Sequence, residues 1–270
     1  MRSLFKKFFD HEISRRDFGT KLLALGFSQI AVNTFLGAAA EAREPLPEMG
    51  VKMSGTGADI LAETLRAAGV DYIFGTSATG MSPFFDSLTV NNDMQFISSI
   101  AESQATSMAH GYELVTGKTA VLFIPGVAIP SAMNNLYNAW KDRSSIAVLS
   151  DGSSSNFAGR NGFQQMDDWL DPMTQFTKWQ WQVNNERQIS EMLRRTLKLA
   201  ETPPGGPVYL RFPGFLLSKP NISQTIYPQS RFKIPMELYP KPELIEATAR
   251  ALLEAKKPLL CVGHEVTRAR

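Results

Sequence analysis

The sequence predicts an α/β fold: a parallel sheet flanked by helices on both faces. Three observations carry that prediction. Apolar, strand-like runs alternate with helix-patterned segments at βαβ spacing. Two of the runs, residues 119–124 and 145–149, are apolar almost throughout, as strands covered on both sides must be. Hydrophobic residues make up 43% of the 270 positions, enough to fill the core of one large α/β domain.

The elements follow in order. Residues 56–68 place Ile60, Leu61, Thr64, Leu65 and Ala68 on one helical face, and Gly69 stops the helix. Residues 72–74 form a short strand that runs into the turn 75–80. Residues 81–88 read as a helix, 94–100 as a strand, and 102–115 as a helix ended by Gly117. Strand 119–124, helix 131–140 and strand 145–149 come next. The Gly-, Asn- and Asp-rich stretch 151–176 is irregular. An extended segment 179–183, a helix 186–200 and a strand 207–212 complete the pattern. The stretch 219–241, rich in Pro, Ser and Asn, reads as a linker after a domain spanning 53–218. A helix over 242–255 and a strand over 258–262 then read as the truncated start of a central domain (242–270), shorter than the ~50 residues a core needs.

Charge and composition exclude several functions. Lys and Arg number 28 against 26 Asp and Glu, giving a net charge of +2; without a basic stripe there is no footprint for nucleic acid. The single cysteine, Cys261, cannot form an intrachain disulfide. His11, His110 and His264 are scattered and form no metal spacing with it. Asp167, Asp168 and Asp171 read as caps in a solvated loop rather than as metal ligands. The Ser153-Ser154-Ser155 run lacks a nucleophile elbow, and neither a phosphate loop nor a dinucleotide fingerprint is present. Trp140, Trp169, Trp179 and Trp181 are expected in the core or at interfaces.

The first 42 residues stand apart. Ser14-Arg15-Arg16-Asp17-Phe18 precedes a weakly apolar run that ends in Ala38-Ala39-Ala40-Glu41-Ala42. This resembles a twin-arginine export signal with a peptidase site. The implied location is periplasmic or extracellular, with membrane anchoring if the signal stays uncleaved; a plain basic amphipathic N-terminus is the other reading.

The candidate site begins with Glu102, a carboxylate where a strand ends and a helix begins. Ligands of open α/β sheets bind outside the carboxyl ends of strands. An acidic residue in a helix's first turn also complements the macrodipole without any further role, and spacing alone does not separate the two readings. A longer ordered series does. Thr56-Gly57-Ala58-Asp59, Gly69-Val70 and Ile73-Phe74-Gly75 precede Glu102. Ala109-His110-Gly111-Tyr112, Thr116-Gly117-Lys118, Ser131-Ala132-Met133 and Asn138-Ala139-Trp140 follow it. Phe176-Thr177-Lys178-Trp179 and Gly206-Pro207-Val208-Tyr209-Leu210 close the series. Over roughly residues 55–212 the chain resembles the N-terminal, pyrimidine-binding domain of thiamine diphosphate-dependent enzymes of the acetolactate synthase and benzoylformate decarboxylase kind.

The resemblance implies thiamine diphosphate and magnesium as cofactors, a 2-oxo acid as substrate, and decarboxylase or carboligase activity. It assigns Glu102 as the catalytic carboxyl, which shares a proton with a ring nitrogen of the aminopyrimidine and so sets up deprotonation of the thiazolium carbon. Gly75, Thr79 and Gly126 are expected beside the cofactor with Glu102. The neighbours Ile100, Ala101 and Met108 are expected to surround the carboxyl with apolar groups and favour its proton-donating form. Small residues after Glu102, among them Ala105, Ala109 and Gly111, are expected to let the helix approach the sheet.

The sequence also departs from the family pattern. Ile124 stands where benzoylformate decarboxylase-like relatives carry a proton-shuttling histidine, and Ala101 where acetolactate synthases usually show one. The turn 125–130 has fewer glycines and an extra proline, and Gln165 replaces a glutamate in Phe163-Gln164-Gln165. The family holds diphosphate and magnesium on a C-terminal domain with Gly-Asp-Gly and a later Asn-Asn. Asp151-Gly152 only echoes that run, in the wrong domain. No residue of this chain is therefore assigned to metal. The implied partners are a second copy through this domain, in a homodimer or higher oligomer, or a separately encoded diphosphate-binding subunit. The other functional class is a catalytically inactive fragment or interaction module that keeps the fold and the dimer surface.

Overall fold

The computed structural model describes residues 4, 15–29, 31–32, 50–90, 93–153, 157, 159–233, 239–263 and 266. They fall into two units, Met1–Met49 and Gly50–Arg270. In the first unit, helix α1 (Arg15–Ala24) buries Phe18 and Leu22, one turn apart. The side chains of Arg15 and Arg16 and the expected peptidase site at 38–42 lie outside the described residues. Among the described residues no helix is long and apolar enough to cross a membrane.

In the second unit the elements are β1 (Val51–Gly55), α2 (Gly57–Ala67), β2 (Tyr72–Gly75), α3 (Ser82–Val90), β3 (Gln95–Ser98), α4 (Glu102–Thr116), β4 (Ala120–Ile124), α5 (Ile129–Lys141) and β5 (Ile146–Ser150). They continue with β6 (Gln180–Gln182), α6 (Gln188–Glu201), β7 (Val208–Arg211), α7 (Gly214–Ser218), β8 (Ile222–Ile226) and α8 (Pro242–Glu254). Six strands form one parallel sheet in the order β3-β2-β4-β5-β7-β6.

Side chains alternate across the strands, so each strand feeds both core layers. Val121 and Phe123 of β4 and Ala147 and Leu149 of β5 pack with Ile60, Leu61 and Leu65 of α2, Phe84 of α3, and Leu193 and Leu197 of α6. Ala120, Leu122 and Ile124, with Ile146 and Val148, face Ala105 and Ala109 of α4 and Ile129, Ala132 and Leu136 of α5. The expected α/β fold with helices on both faces is what the chain adopts.

The stops and starts are chemical. Thr56 caps α2 by accepting from the Asp59 N–H at 3.2 Å, while Asp59 Oδ2 accepts from the Thr56 N–H at 2.7 Å, a reciprocal capping box. Gly69 and Gly117 end α2 and α4 at φ +73° and +68°, a region costly for any residue with a Cβ. Ala105 and Ala109 are fully buried, as expected of small residues under the sheet; a Cβ on Gly111 would meet open space, so that glycine does not serve close packing.

Two expectations about the ends are corrected. The stretch 219–241 is not simply a linker. Within it β8 pairs antiparallel with β1, Val51 opposite Ile226 and Gly55 opposite Ile222. Ile222 and Ile226 bury themselves against the α2 layer while the three residues between them are polar. Two apolar positions in five are enough once an edge partner exists. Residues 258–262 carry no strand, since a strand needs a neighbour to satisfy its backbone and none is described there. Helix α8 forms as expected, with every residue exposed.

Candidate active site

The sheet order fixes where a ligand can sit. From β2 the chain moves outward to β3, then returns to the opposite side of β2 as β4. The turns after β2 and β4 therefore diverge, and the crevice at such a reversal, outside the strands' carboxyl ends, is the usual ligand site of this architecture. Thr76–Gly80 and Pro125–Ala128 border it, and Glu102 enters from β3.

The backbone ties these turns together. The Ser99 N–H donates to the Gly75 carbonyl at 2.9 Å, bringing the end of β3 beside β2. Ala101, the N-cap of α4, offers no side-chain acceptor, so Glu102 in the first turn is the helix's nearest negative charge. Glu102 is half-buried, and its Oε1 accepts from Thr76 Oγ1 at 2.9 Å. Thr76 is only 7% exposed, so its hydroxyl is a fixed donor. Among the described residues Oε2 has no partner, which leaves one carboxylate oxygen for an incoming group.

The expected apolar shield around Glu102 is corrected. Ile100 is 93% exposed and Met108 is 38% exposed, so neither dries the carboxylate within one chain. The α4 residues in this core layer are instead Ala105 and Ala109.

Gly75 is required by packing: a Cβ there would lie 1.9 Å from the Phe123 carbonyl of β4. Gly126 is similarly hemmed in, with the Asp151 carbonyl at 2.4 Å and the Trp169 ring at 2.6 Å from a Cβ built on it. Its N–H donates to Asp151 Oδ1 at 3.0 Å. Thr79 is exposed and opens a 3-10 turn, Thr79–Met81. The structure thus joins Glu102 with the Gly75-Thr76 turn and joins Gly126 with Asp151. Neither Glu102 nor Thr79 lines the neighbouring cavity of about 150 Å³, whose walls include Gly80, Pro125, Val127, Asp151 and Trp169.

Asp151 and Arg211 are the polar residues here that sequence reading did not assign. Asp151 follows β5 and is 7% exposed; Arg211 ends β7 and is 3% exposed. Burial pushes the Asp151 carboxyl above the ordinary aspartate range, only partly offset by the Gly126 N–H and the Arg211 charge. Burial likewise lowers the Arg211 guanidinium from its usual value. Arg211 donates to the Ser153 carbonyl at 2.8 Å and to Gln182, and lies 4.2 Å from the centre of the Trp169 ring. Among the described residues its buried Nε has no hydrogen-bond partner. The available signal was a charged residue at the end of an apolar strand run, in Leu210-Arg211-Phe212 and in Leu149-Ser150-Asp151.

Other singled-out residues take structural roles. Lys178 donates to the Leu199 and Thr202 carbonyls at the C-terminal end of α6, where a cation suits the helix dipole. Asp168 Oδ1 caps its turn by accepting from the Leu170 and Asp171 N–H groups at 2.8 and 3.0 Å. Ser153 donates to Gln165. Ile124 is fully buried in the α4–α5 layer, so that position presents no group to the crevice. Trp179 and Trp181 stack face to face, 6.0 Å between centroids.

The residues fit the pyrimidine end of thiamine diphosphate: a carboxylate held by one hydroxyl, with one oxygen open, at the crevice of the sheet. For magnesium, among the described residues no group of three His, Cys, Asp or Glu could hold a metal ion.

Known proteins share this sequence pattern and fold. The acetolactate synthase large subunit of Haemophilus influenzae is 28% identical over 222 residues, covering 77% of this chain and 37% of that protein. The isozyme 3 large subunit of Escherichia coli is 25% identical over 212 residues, with the same two coverages. The structure of a thiamine diphosphate-dependent 4-hydroxybenzoylformate decarboxylase from Rhodococcus jostii RHA1 superposes with a TM-score of 0.66 at 21% identity, over 78% of this chain and 40% of that one, a likeness of fold. The chain thus spans less than two-fifths of the length of these two curated relatives. Residues 55–171 match the family described as thiamine pyrophosphate enzyme, N-terminal TPP binding domain, a span that contains Glu102, Thr76, Gly126 and Asp151. The segment from 55 to 171 is therefore an N-terminal domain of the thiamine pyrophosphate enzyme family.

Proposed function

We propose that this chain provides the pyrimidine-side half of a thiamine diphosphate-dependent 2-oxo acid decarboxylase or carboligase, acetolactate synthase-like in kind. The observation that carries the reading is Glu102, held by the buried Thr76 hydroxyl beside the crevice between β2 and β4. When bound, the cofactor supplies a carbon nucleophile and an electron sink. Glu102 then holds a proton against the aminopyrimidine, Thr76 fixes the direction of that carboxyl, and the glycines at 75 and 126 keep the two turns close.

Diphosphate and magnesium would be gripped by a domain outside this chain. A second copy would dock through α4, whose outward stripe of Ser107, Met108, Leu114 and Val115 is exposed and partly apolar. A separately encoded subunit is the other partner the reading allows. Residues 1–42 would act as a twin-arginine export signal, placing the protein in the periplasm or outside the cell. One observation favours the non-catalytic reading: the family's histidine position is a buried isoleucine, Ile124.

Calorimetry with thiamine diphosphate and magnesium separates the parts of this proposal. The chain alone is expected to bind very weakly, and the protein joined to a diphosphate-binding domain tightly. Tight magnesium-dependent binding by the chain alone would contradict the division of labour.

A further inference from the structure

Asp151 lies where the family's missing proton donor would be needed. In the sheet register Ile124 sits opposite Ser150, so the next residue of β5, Asp151, emerges one step beyond Ile124 at the same carboxyl edge. Its two oxygens do different things. Oδ1 accepts from the Gly126 N–H at 3.0 Å. Oδ2 lies beside Gly80, 2.2 Å from where a Cβ would stand, and among the described residues no other residue donates to it; the carboxyl's remaining contact is with Asp151's own N–H. Gly80 and Asp151 both line the cavity of about 150 Å³.

We propose that Asp151 is the acid–base residue of this cleft, with Oδ2 meeting the carbonyl oxygen of a 2-oxo acid seated in the cavity. The inference rests on the thiamine diphosphate reading and adds to it the residue that exchanges a proton with substrate. With Oδ1 committed as an acceptor, the proton of the neutral acid resides on Oδ2. As the substrate carbonyl is attacked at carbon, its π electron pair moves onto oxygen. The Oδ2–H bond breaks, an O–H bond forms on that oxygen, and the electron pair stays on the carboxylate. When the product carbonyl re-forms, its O–H bond breaks and the proton returns to the Oδ2 carboxylate.

The surroundings suit a neutral resting acid. The ionisable groups facing Asp151 are Arg211 and Tyr209, both on β7. The loops after β2 and β4 present only uncharged groups to the cavity, and so do Phe163, Gln164 and Trp169. Arg211 is spent on Ser153, Gln182 and the Trp169 face, so burial prevails and lifts the carboxyl.

NMR of the full chain, observing the Asp151 carboxyl carbon and the Gly126 amide proton, with pyruvate as the probe, tests this. In the wild-type chain both signals titrate together above the ordinary aspartate range, and pyruvate shifts both. Above that midpoint pyruvate affinity falls about tenfold per pH unit, because only the protonated acid donates. Asp151→Asn keeps an oxygen for the Gly126 N–H and so keeps the turn, but its pyruvate affinity no longer varies with pH. Titration of Asp151 in the ordinary range, signals unmoved by pyruvate, or the same pH profile in D151N overturns the proposal. Glu102→Gln is the control on the underlying reading: thiamine diphosphate binding by the complete protein weakens, while the Asp151 titration stays. Cofactor binding indifferent to E102Q sinks that reading and leaves the Asp151 result standing.

Discussion

At the scale of single residues, the site depends on one hydroxyl and one buried acid. Thr76 gives the Glu102 carboxylate its only protein hydrogen bond among the described residues. Thr76→Val keeps the shape and removes the donor. In the chain joined to a diphosphate-binding domain, on the proposed function, it is expected to reduce turnover about tenfold, the scale of a hydrogen bond to a charged group, while Thr76→Ser restores it; steady-state kinetics on both variants check this. Asp151 makes a thermodynamic prediction of its own. A folded-state value raised above the unfolded one contributes stability that is fully present below the unfolded value and is lost as pH rises through the folded one. Chemical denaturation of the chain should therefore show stability declining with pH above the ordinary aspartate range, and Asp151→Asn should remove that component. Glu102 was legible because its strand-to-helix junction falls in the middle of an ordered series of family-like segments, which fixes its place in the fold. Asp151 was not: its meaning comes from two turns and a strand end converging on it, with Gly80, Gly126 and Arg211 supplied from 71, 25 and 60 positions away along the chain, which no local pattern records.

At the scale of elements, local chemistry accounts for most boundaries. The Thr56–Asp59 capping box begins α2, and two left-handed glycines end α2 and α4. Asp59 ties this helix to α3. Burial alone would raise its carboxyl, but hydrogen bonds from Ser87 and Thr56 outweigh that and hold it below the ordinary value. Its contribution to stability is present above the unfolded value and fades as pH falls through the folded one. The strands buried on both faces, β4 and β5, were readable from their continuous apolar runs. Strand β8 was hidden because Ile222 and Ile226 stand alone in a polar, proline-flanked stretch, and only pairing with β1 gives them a place. Ile226→Ala therefore distinguishes a linker from a folded element. Loss of a buried isoleucine in the α2 layer costs about 2–5 kcal/mol, measurable by urea titration, whereas a linker residue would leave the midpoint unchanged.

At the scale of the whole molecule, the sheet presents a crevice but offers only part of what a thiamine diphosphate enzyme requires. The apolar stripe on α4 is the expected contact for a second copy. Leu114→Glu with Val115→Lys should shift the protein toward monomer in sedimentation without changing its helical content; an unaltered sedimentation profile would move the interface elsewhere. The fold class was legible because βαβ alternation is a global period, expressed in every element. Which residues near the crevice lie dry and which lie wet was not, since Ile100 and Met108 look like core in the sequence yet are exposed, while Ala105 and Ala109 are the α4 residues in the core.

The proton held by Glu102 is the point on which the functional reading turns, and hydrogen–deuterium exchange at the thiazolium carbon of bound thiamine diphosphate reads it directly. In the chain joined to a diphosphate-binding domain, Glu102→Gln should slow that exchange by about 10²-fold or more, the scale of lost general acid–base catalysis. Exchange as fast as in the wild-type protein would contradict the assignment of Glu102.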